Sequence, residues 1–242
     1  MGFSKILTAA VFLAAFVALT PLAFADAYKL SLGPGDGGIT LSNGYIVEMN
    51  AISLNPKSAT FEISESSGSN SPVSTVVDEV KLFPEQIYDN KEIGVLLYAA
   101  MPYINCGSTD LKDCYTMMVV ASKQSIKRRP YMQEGDFVML KGNEEDDNIY
   151  KVTLTGLKGS TTILDSAALT VPQATFQISL AGKVLKKVTL SPNKSFFYMD
   201  KGILINLKNV RLEGPAKKLT ASAVIVRAFD YDWDASPDQP PQ

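Results

Sequence analysis

Three carboxylates stand at alternate positions near the end of the chain, in Asp230-Tyr231-Asp232-Trp233-Asp234. In an extended segment this spacing projects Asp230, Asp232 and Asp234 to one side and the two aromatic rings to the other. Hard oxygen ligands so arranged suit Ca²⁺, which makes the three aspartates a candidate metal site. The segment lacks the Gly and Glu that an EF-hand loop needs at fixed offsets, so the competing reading is a solvated strand end anchored by its aromatics. A second acidic run, Glu144-Glu145-Asp146-Asp147-Asn148, falls where a turn between strands is expected. It reads as a solvated loop, with calcium shared with a neighbouring copy as the functional alternative.

Other chemistry is poorly served. The 242 residues include no His, which removes the commonest general base and metal ligand together. There is no G-x-S-x-G motif, and no phosphate-binding glycine fingerprint leads from a strand into a helix. No pair of carboxylates is singled out for glycoside hydrolysis. The net charge of −2 gives no general attraction to nucleic acid or anionic lipid. The sequence therefore reads as that of a protein that is not an enzyme and needs no cofactor, calcium being the one candidate.

The two cysteines, Cys106 and Cys114, lie in a polar segment with Gly107 and Asp110 between them. Neither C-x-x-C redox spacing nor a zinc ligand set is present, and an even count in an exported chain favours a disulfide. Closing so short a loop contributes about 2–3 kcal/mol. Export itself is read from residues 1–25. Lys5 precedes an apolar run, Ile6–Leu19, which Pro21 breaks, and Ala23-Phe24-Ala25 offers small residues where a signal peptidase reads them. The competing reading is an uncleaved membrane anchor, since Ile6–Ala25 is just long enough to span a bilayer. Pro21 and the A-x-A ending favour cleavage of a signal peptide, which leaves an extracellular chain starting at Asp26 with no further segment of membrane-spanning length. The freed Asp26–Leu32 segment is able to extend as a strand toward its own sheet or a neighbour's.

The elements that must position these residues are strands. Gly44–Ile52 alternates Tyr45, Val47 and Met49 on one side, and Ala59–Ser64 alternates Phe61 and Ile63 against Thr60 and Glu62. Ile93–Tyr98 and Tyr115–Ala121 are apolar on both faces, as fully buried strands are. This series recurs. Ala59-Thr60-Phe61-Glu62-Ile63-Ser64 returns as Ala174-Thr175-Phe176-Gln177-Ile178-Ser179. Val80-x-Leu82-x-Pro84 returns as Val188-x-Leu190-x-Pro192, and Gly94-Val95-Leu96-Leu97 as Gly202-Ile203-Leu204-Ile205. Tyr45-Ile46-Val47 matches Tyr150-Lys151-Val152, and Met117–Ala121 matches Ala223–Arg227, all in the same order. The expectation is an all-β chain of two tandem β-sandwich repeats, 26–122 and 131–234. A basic linker, 123–130, joins them, and a flexible polar tail, 235–242, follows.

Each repeat opens on a glycine-rich or acidic turn (Gly33-Pro34-Gly35-Asp36; Gln133-Glu134-Gly135-Asp136) and continues in the order just given. With Leu41-Ser42-Asn43-Gly44-Tyr45-Ile46-Val47-Glu48 as its nearest local match, this order resembles the duplicated β-sandwich domain of archaeal surface-layer (S-layer) proteins over most of residues 28–229. The resemblance implies a secreted structural protein of the cell envelope, in a lattice, sheath or filament, whose partners are copies of itself or other envelope proteins. Glycosylation is expected at the sequon Asn193-Lys194-Ser195, in a turn-like segment. The alternative function is a secreted module that binds carbohydrate or another envelope protein through aromatics around Trp233, Tyr231 and Tyr198. Intact-mass measurement of the secreted protein checks the processing. The expected species starts at Asp26 and gains two hydrogens on reduction; an unprocessed N-terminus or two free thiols contradicts it.

Overall fold

A computed structural model describes residues 27–66, 74–101, 114–142, 147–159, 171–215 and 218–231. The expectation of an all-β chain holds: among the described residues there are seventeen strands and one short 3-10 turn, Met199–Lys201. The first eight strands are β1 (Ala27–Leu32), β2 (Ile39–Thr40), β3 (Tyr45–Leu54), β4 (Lys57–Glu65), β5 (Thr75–Leu82), β6 (Ile87–Asn90), β7 (Val95–Met101) and β8 (Thr116–Ser122). The next eight are β9 (Lys127–Met132), β10 (Phe137–Leu140), β11 (Tyr150–Lys158), β12 (Gln173–Leu180), β13 (Lys183–Leu190), β14 (Lys194–Tyr198), β15 (Ile203–Glu213) and β16 (Lys218–Arg227), before the short β17 (Phe229–Asp230). They form four sheets, here numbered I (β2-β3-β4-β5), II (β17-β1-β8-β7-β6), III (β14-β15-β16-β9) and IV (β10-β11-β12-β13).

The sheets stack in that order, held by three apolar cores. Alternation aims Val47, Met49, Phe61, Ile63 and Val80 of sheet I at Leu30, Val95, Leu97, Met118 and Val120 of sheet II. Sheets III and IV enclose an equivalent core, with Ile203, Ile205, Ala223 and Ile225 against Val152, Leu154, Phe176 and Ile178. A third core joins the two sandwiches. Leu96, Tyr98, Val119 and Ala121 leave the back of sheet II and meet Leu204, Val224 and Val226 from the back of sheet III, with Ala228 just beyond β16. This explains the strands that are apolar on both faces: each carries one side chain in two into its own sandwich and the next into the joint between sandwiches. Burial in that joint pushes the Tyr98 phenol up to about 12, with the Glu85 carboxylate adding to the shift.

The two halves have the same strand order, β2 to β5 answering β10 to β13 and β6-β7-β8-β1 answering β14-β15-β16-β9. Their irregularities fall at corresponding places. The β3–β4 bulge after Met49 answers the β11–β12 bulge after Leu154, and the β4–β5 bulge after Ile63 answers the β12–β13 bulge after Ile178. The opening turns also match. The Asp36 carboxylate accepts from the Gly33 N–H at 2.6 Å, and the Asp136 carboxylate accepts from the Gln133 N–H at 2.8 Å. The glycines that head β7 and β15 share a requirement too. Gly94 (φ 71°) and Gly202 (φ 60°) are left-handed, and a Cβ on Gly202 would lie 1.8 Å from the Ala228 carbonyl oxygen.

One boundary departs from the sequence reading. The basic segment 123–130, expected as a linker, is a turn followed by the edge strand β9, which pairs with β16. Pro130 is accommodated where the β9–β16 register slips, at an edge where a missing N–H costs little. Of the two places open to Asp26–Leu32, its own sheet or a neighbour's, the strand takes the first. β1 lies between β8 (antiparallel) and β17 (parallel), so the last strand of the second half is built into the first half's sheet. Tyr231 closes the arrangement, its ring edge-on to Tyr28 at 5.0 Å and its N–H donating to the Lys29 carbonyl at 3.3 Å.

Because the joint is apolar and close-packed, Leu204→Ala is expected to lower unfolding free energy by about 2–5 kcal/mol in urea denaturation. A loss no larger than that of an exposed leucine such as Leu212 would contradict a packed joint.

Candidate functional site

The structure separates the residues that the sequence grouped. Asp230 lies on β17, exposed, and its carboxylate pairs with Lys29 Nζ at 3.1 Å. Asp232, Trp233 and Asp234 lie outside the described residues. Among the described residues no three His, Cys, Asp or Glu side chains converge as a metal would need. Of the aromatics proposed to surround Trp233, Tyr231 packs on the core between sheets I and II and Tyr198 on the core between sheets III and IV. Lys29 bridges their surroundings, since its Nζ also donates to the Met199 carbonyl at 3.4 Å. In the acidic run, Glu144–Asp146 lie outside the described residues, while the Asn148 carbonyl accepts from Arg227 Nη1 at 2.6 Å. Cys114 is buried in the first core and Cys106 lies outside the described residues. Asn193 is exposed in the turn between β13 and β14, with a left-handed backbone (φ 62°) that Asn tolerates well.

A charged cluster that the sequence reading did not anticipate ties the halves together. Asp89 on β6 has a side chain only 4% exposed. Its Oδ1 accepts from Arg128 Nε at 3.2 Å and Nη2 at 2.6 Å, and Lys208 Nζ stands 3.7 Å from Oδ2. Arg128 belongs to β9, the strand hidden in the supposed linker. Lys208 sits in the register slip of β15 between Leu207 and Asn209, where the ladder leaves one residue unpaired. Burial pulls the Lys208 ammonium below its ordinary pKa, and the neighbouring Asp89 carboxylate opposes that shift. No local pattern marks such a trio, because its members come from three strands far apart in the chain.

At the junction of the halves lies a cleft of about 540 Å³, lined by Tyr28, Ser125, Lys127, Arg227, Phe229 and Asp230 among others. Arg227 is buried, with its guanidinium 4.5 Å from the Tyr150 ring centre and 5.1 Å from that of Phe229. Ser125 Oγ, also buried, has no hydrogen-bond partner among the described residues. The cleft pairs polar donors with aromatic walls, a lining suited to holding a small polar ligand.

The outer faces of the stack differ sharply from each other. On sheet I, Glu48, Glu62 and Glu79 stand directly opposite one another on three neighbouring strands. Their side chains point away from the core, since Val47, Phe61 and Val80 point into it. Glu62 accepts from Asn50 Nδ2 at 2.9 Å and Ser64 Oγ at 3.2 Å. On sheet IV the corresponding row is Thr153, Gln177 and Lys187, continued by exposed Phe137. Lys151 Nζ lies 4.1 Å over the Phe137 ring. Met139, Ile149 and Val184 are exposed on or beside sheet IV, as Leu54, Val76 and Val77 are on the strands of sheet I, so the two sheets differ in charge rather than in exposed apolar side chains.

These features belong to an all-β protein of stacked antiparallel sheets. Comparison with family models, with curated proteins and with solved structures gives no match for this chain.

Asp89→Asn would leave two partly buried cations without their carboxylate. The expected loss is about 3 kcal/mol in chemical denaturation, at the low end for a broken buried pair because both cations keep some contact with water. Lys208→Met, which retains the Arg128 contact, is expected to cost clearly less; equal losses would show that Arg128 does not dominate the cluster.

Proposed function

We propose that this chain is an exported structural protein of the cell surface, a subunit of an S-layer-like, sheath-like or filamentous assembly that forms by self-association. The observation that carries this reading is the four-sheet stack. Its halves, each with its own core, share a third core, a buried charge cluster and an interleaved strand, which makes a stiff block. Among the described residues no further sheet covers the outer faces of sheets I and IV. A sheet face that carries unneutralised charge beside exposed apolar side chains is a surface suited to a partner.

Other features are consistent with the same reading. The matching strand order, bulges and turns support an internal duplication, and duplicated β modules make protease-resistant building blocks. The resemblance of residues 28–229 to S-layer β-sandwiches points the same way. Asn193 sits in an exposed turn where a glycan would face solvent. A Cys106–Cys114 bridge would pin the segment before β8, and Ca²⁺ at Asp230, Asp232 and Asp234 would cross-link an assembly at its surface.

The second reading, a secreted binding module for carbohydrate, rests on the junction cleft with its buried Ser125 and its aromatic walls. Light scattering and negative-stain electron microscopy of the mature protein, with and without calcium, separate the two. Structural function expects ordered multimers and recovery of the protein in isolated envelopes. A monomer under every condition, absent from envelopes and retained on a glycan surface, would favour the binding module.

A further inference from the structure

The strands of sheet I and sheet IV have opposite charge. Those of sheet I contain five acidic residues (Glu48, Glu62, Glu65, Asp78, Glu79) and two lysines (Lys57, Lys81). Those of sheet IV contain five lysines (Lys151, Lys158, Lys183, Lys186, Lys187) and no acid. Because these sheets are the outermost of four layers, the strands at the two ends of the stack carry opposite charge, while the turns beside sheet IV add Glu134, Asp136 and Asp147.

The detail is more telling than the totals. Like charges directly opposite each other on adjacent strands are destabilising. Sheet I nevertheless aligns Glu48, Glu62 and Glu79 in one row, and no described cation forms an ion pair with any of them. Asp78, by contrast, is engaged, accepting from the Tyr88 hydroxyl at 2.5 Å, and Lys81 leans toward the Phe83 ring at 5.8 Å. On sheet IV, Lys151 and Lys187 share the outer face with exposed Phe137, Met139 and Val184 and likewise lack a carboxylate partner among the described residues. A shallow depression of about 550 Å³ lies on that face, lined by Met139, Lys151, Thr153, Gln177 and Ser179 among others.

Resting on the self-association reading, we infer that the occupant of each face is a second copy of this chain. The outer face of sheet I of one molecule stacks on the outer face of sheet IV of the next. Face-to-face sheet packing already holds this chain together at three internal levels, and the contact adds a fourth between molecules. The Glu48-Glu62-Glu79 row meets Lys151 and Lys187, while the apolar side chains of sheet IV exclude water between them. The two surfaces are different patches, so the contact is heterologous. A heterologous contact repeats without closing unless its rotation happens to form a ring, which gives a linear, polar filament. Three strands of eight to ten residues and one short strand present roughly 450 Å² of face on each sheet. A stacked pair thus buries about 900 Å² in total, in the range of weak, transient contacts. Growth is therefore expected to be reversible and sensitive to ionic strength, since the Debye length falls from about 10 Å at 0.1 M to about 3 Å at 1 M.

Two full-length charge-reversed proteins test this. One carries Glu48→Lys, Glu62→Lys and Glu79→Lys, and the other Lys151→Glu and Lys187→Glu. All five positions lie outside the cores, and circular dichroism melts matching the unaltered protein verify that both fold. The unaltered protein at low ionic strength is expected to give sedimenting filaments that dissolve at 1 M salt. Each reversed protein alone should show at least a tenfold loss of sedimenting material, because both of its end faces then carry the same sign. Mixing the two in equal amounts should restore filaments, now alternating, since every contact again joins opposite faces. Two outcomes overturn the proposed interface while leaving self-association intact: filaments that persist in both reversed proteins, or a mixture that stays dispersed. An unaltered protein that stays monomeric at low salt overturns the self-association reading itself.

Discussion

Sheets II and III have no polar face, and the remainder of the architecture follows from that constraint. Each of their central strands alternates between two apolar environments, so neither sheet can be exposed on either side without a large solvation cost. Burying one Leu or Val side chain contributes about 1.5–3 kcal/mol, and the joint between the halves buries Leu96, Val119, Leu204, Val224 and Val226 at once. The two sandwiches are thereby driven back to back. Once they are, the outer sheets I and IV become the ends of the stack, with one face in a core and the other in water.

The joint also decides where charge is tolerated. Asp89, Arg128 and Lys208 gather where the apolar packing gives way, and each arrives there by a local irregularity or an edge: a short edge strand for Asp89, an edge strand for Arg128, a register slip for Lys208. An ion pair of this kind specifies alignment more than it adds stability, because desolvation offsets much of the attraction. The parallel pairing of β17 with β1 acts in the same direction. It fastens the end of the second half to the start of the first, so β1 is held in a sheet with partners on both sides.

Much of the local structure was legible in the residues. The alternation of Phe61 and Ile63, or of Phe176 and Ile178, identifies strands with one buried face, and the structure buries those four side chains completely. The two-faced character of Ile93–Tyr98 and Tyr115–Ala121 also announced itself, although the sequence does not say which second surface would cover them. The basic segment 123–130 misled, because a run of cations next to a proline has the composition of a solvated linker. Its strand pairing depends on β16, nearly a hundred residues away, and on a carboxylate from the other half.

The sequence by itself determined the all-β class and the apolar face of strands such as β3, β4 and β12. These depend on neighbours two or three residues apart, where periodicity and glycine conformation act directly. The stacking order of the sheets, the Asp89 cluster, the seat of β17 beside β1 and the opposed charge of the outer faces were decided only by tertiary structure. Each of them brings together residues from distant strands, and nothing in the local pattern of Glu48, Glu62 or Glu79 reveals that the three share one row.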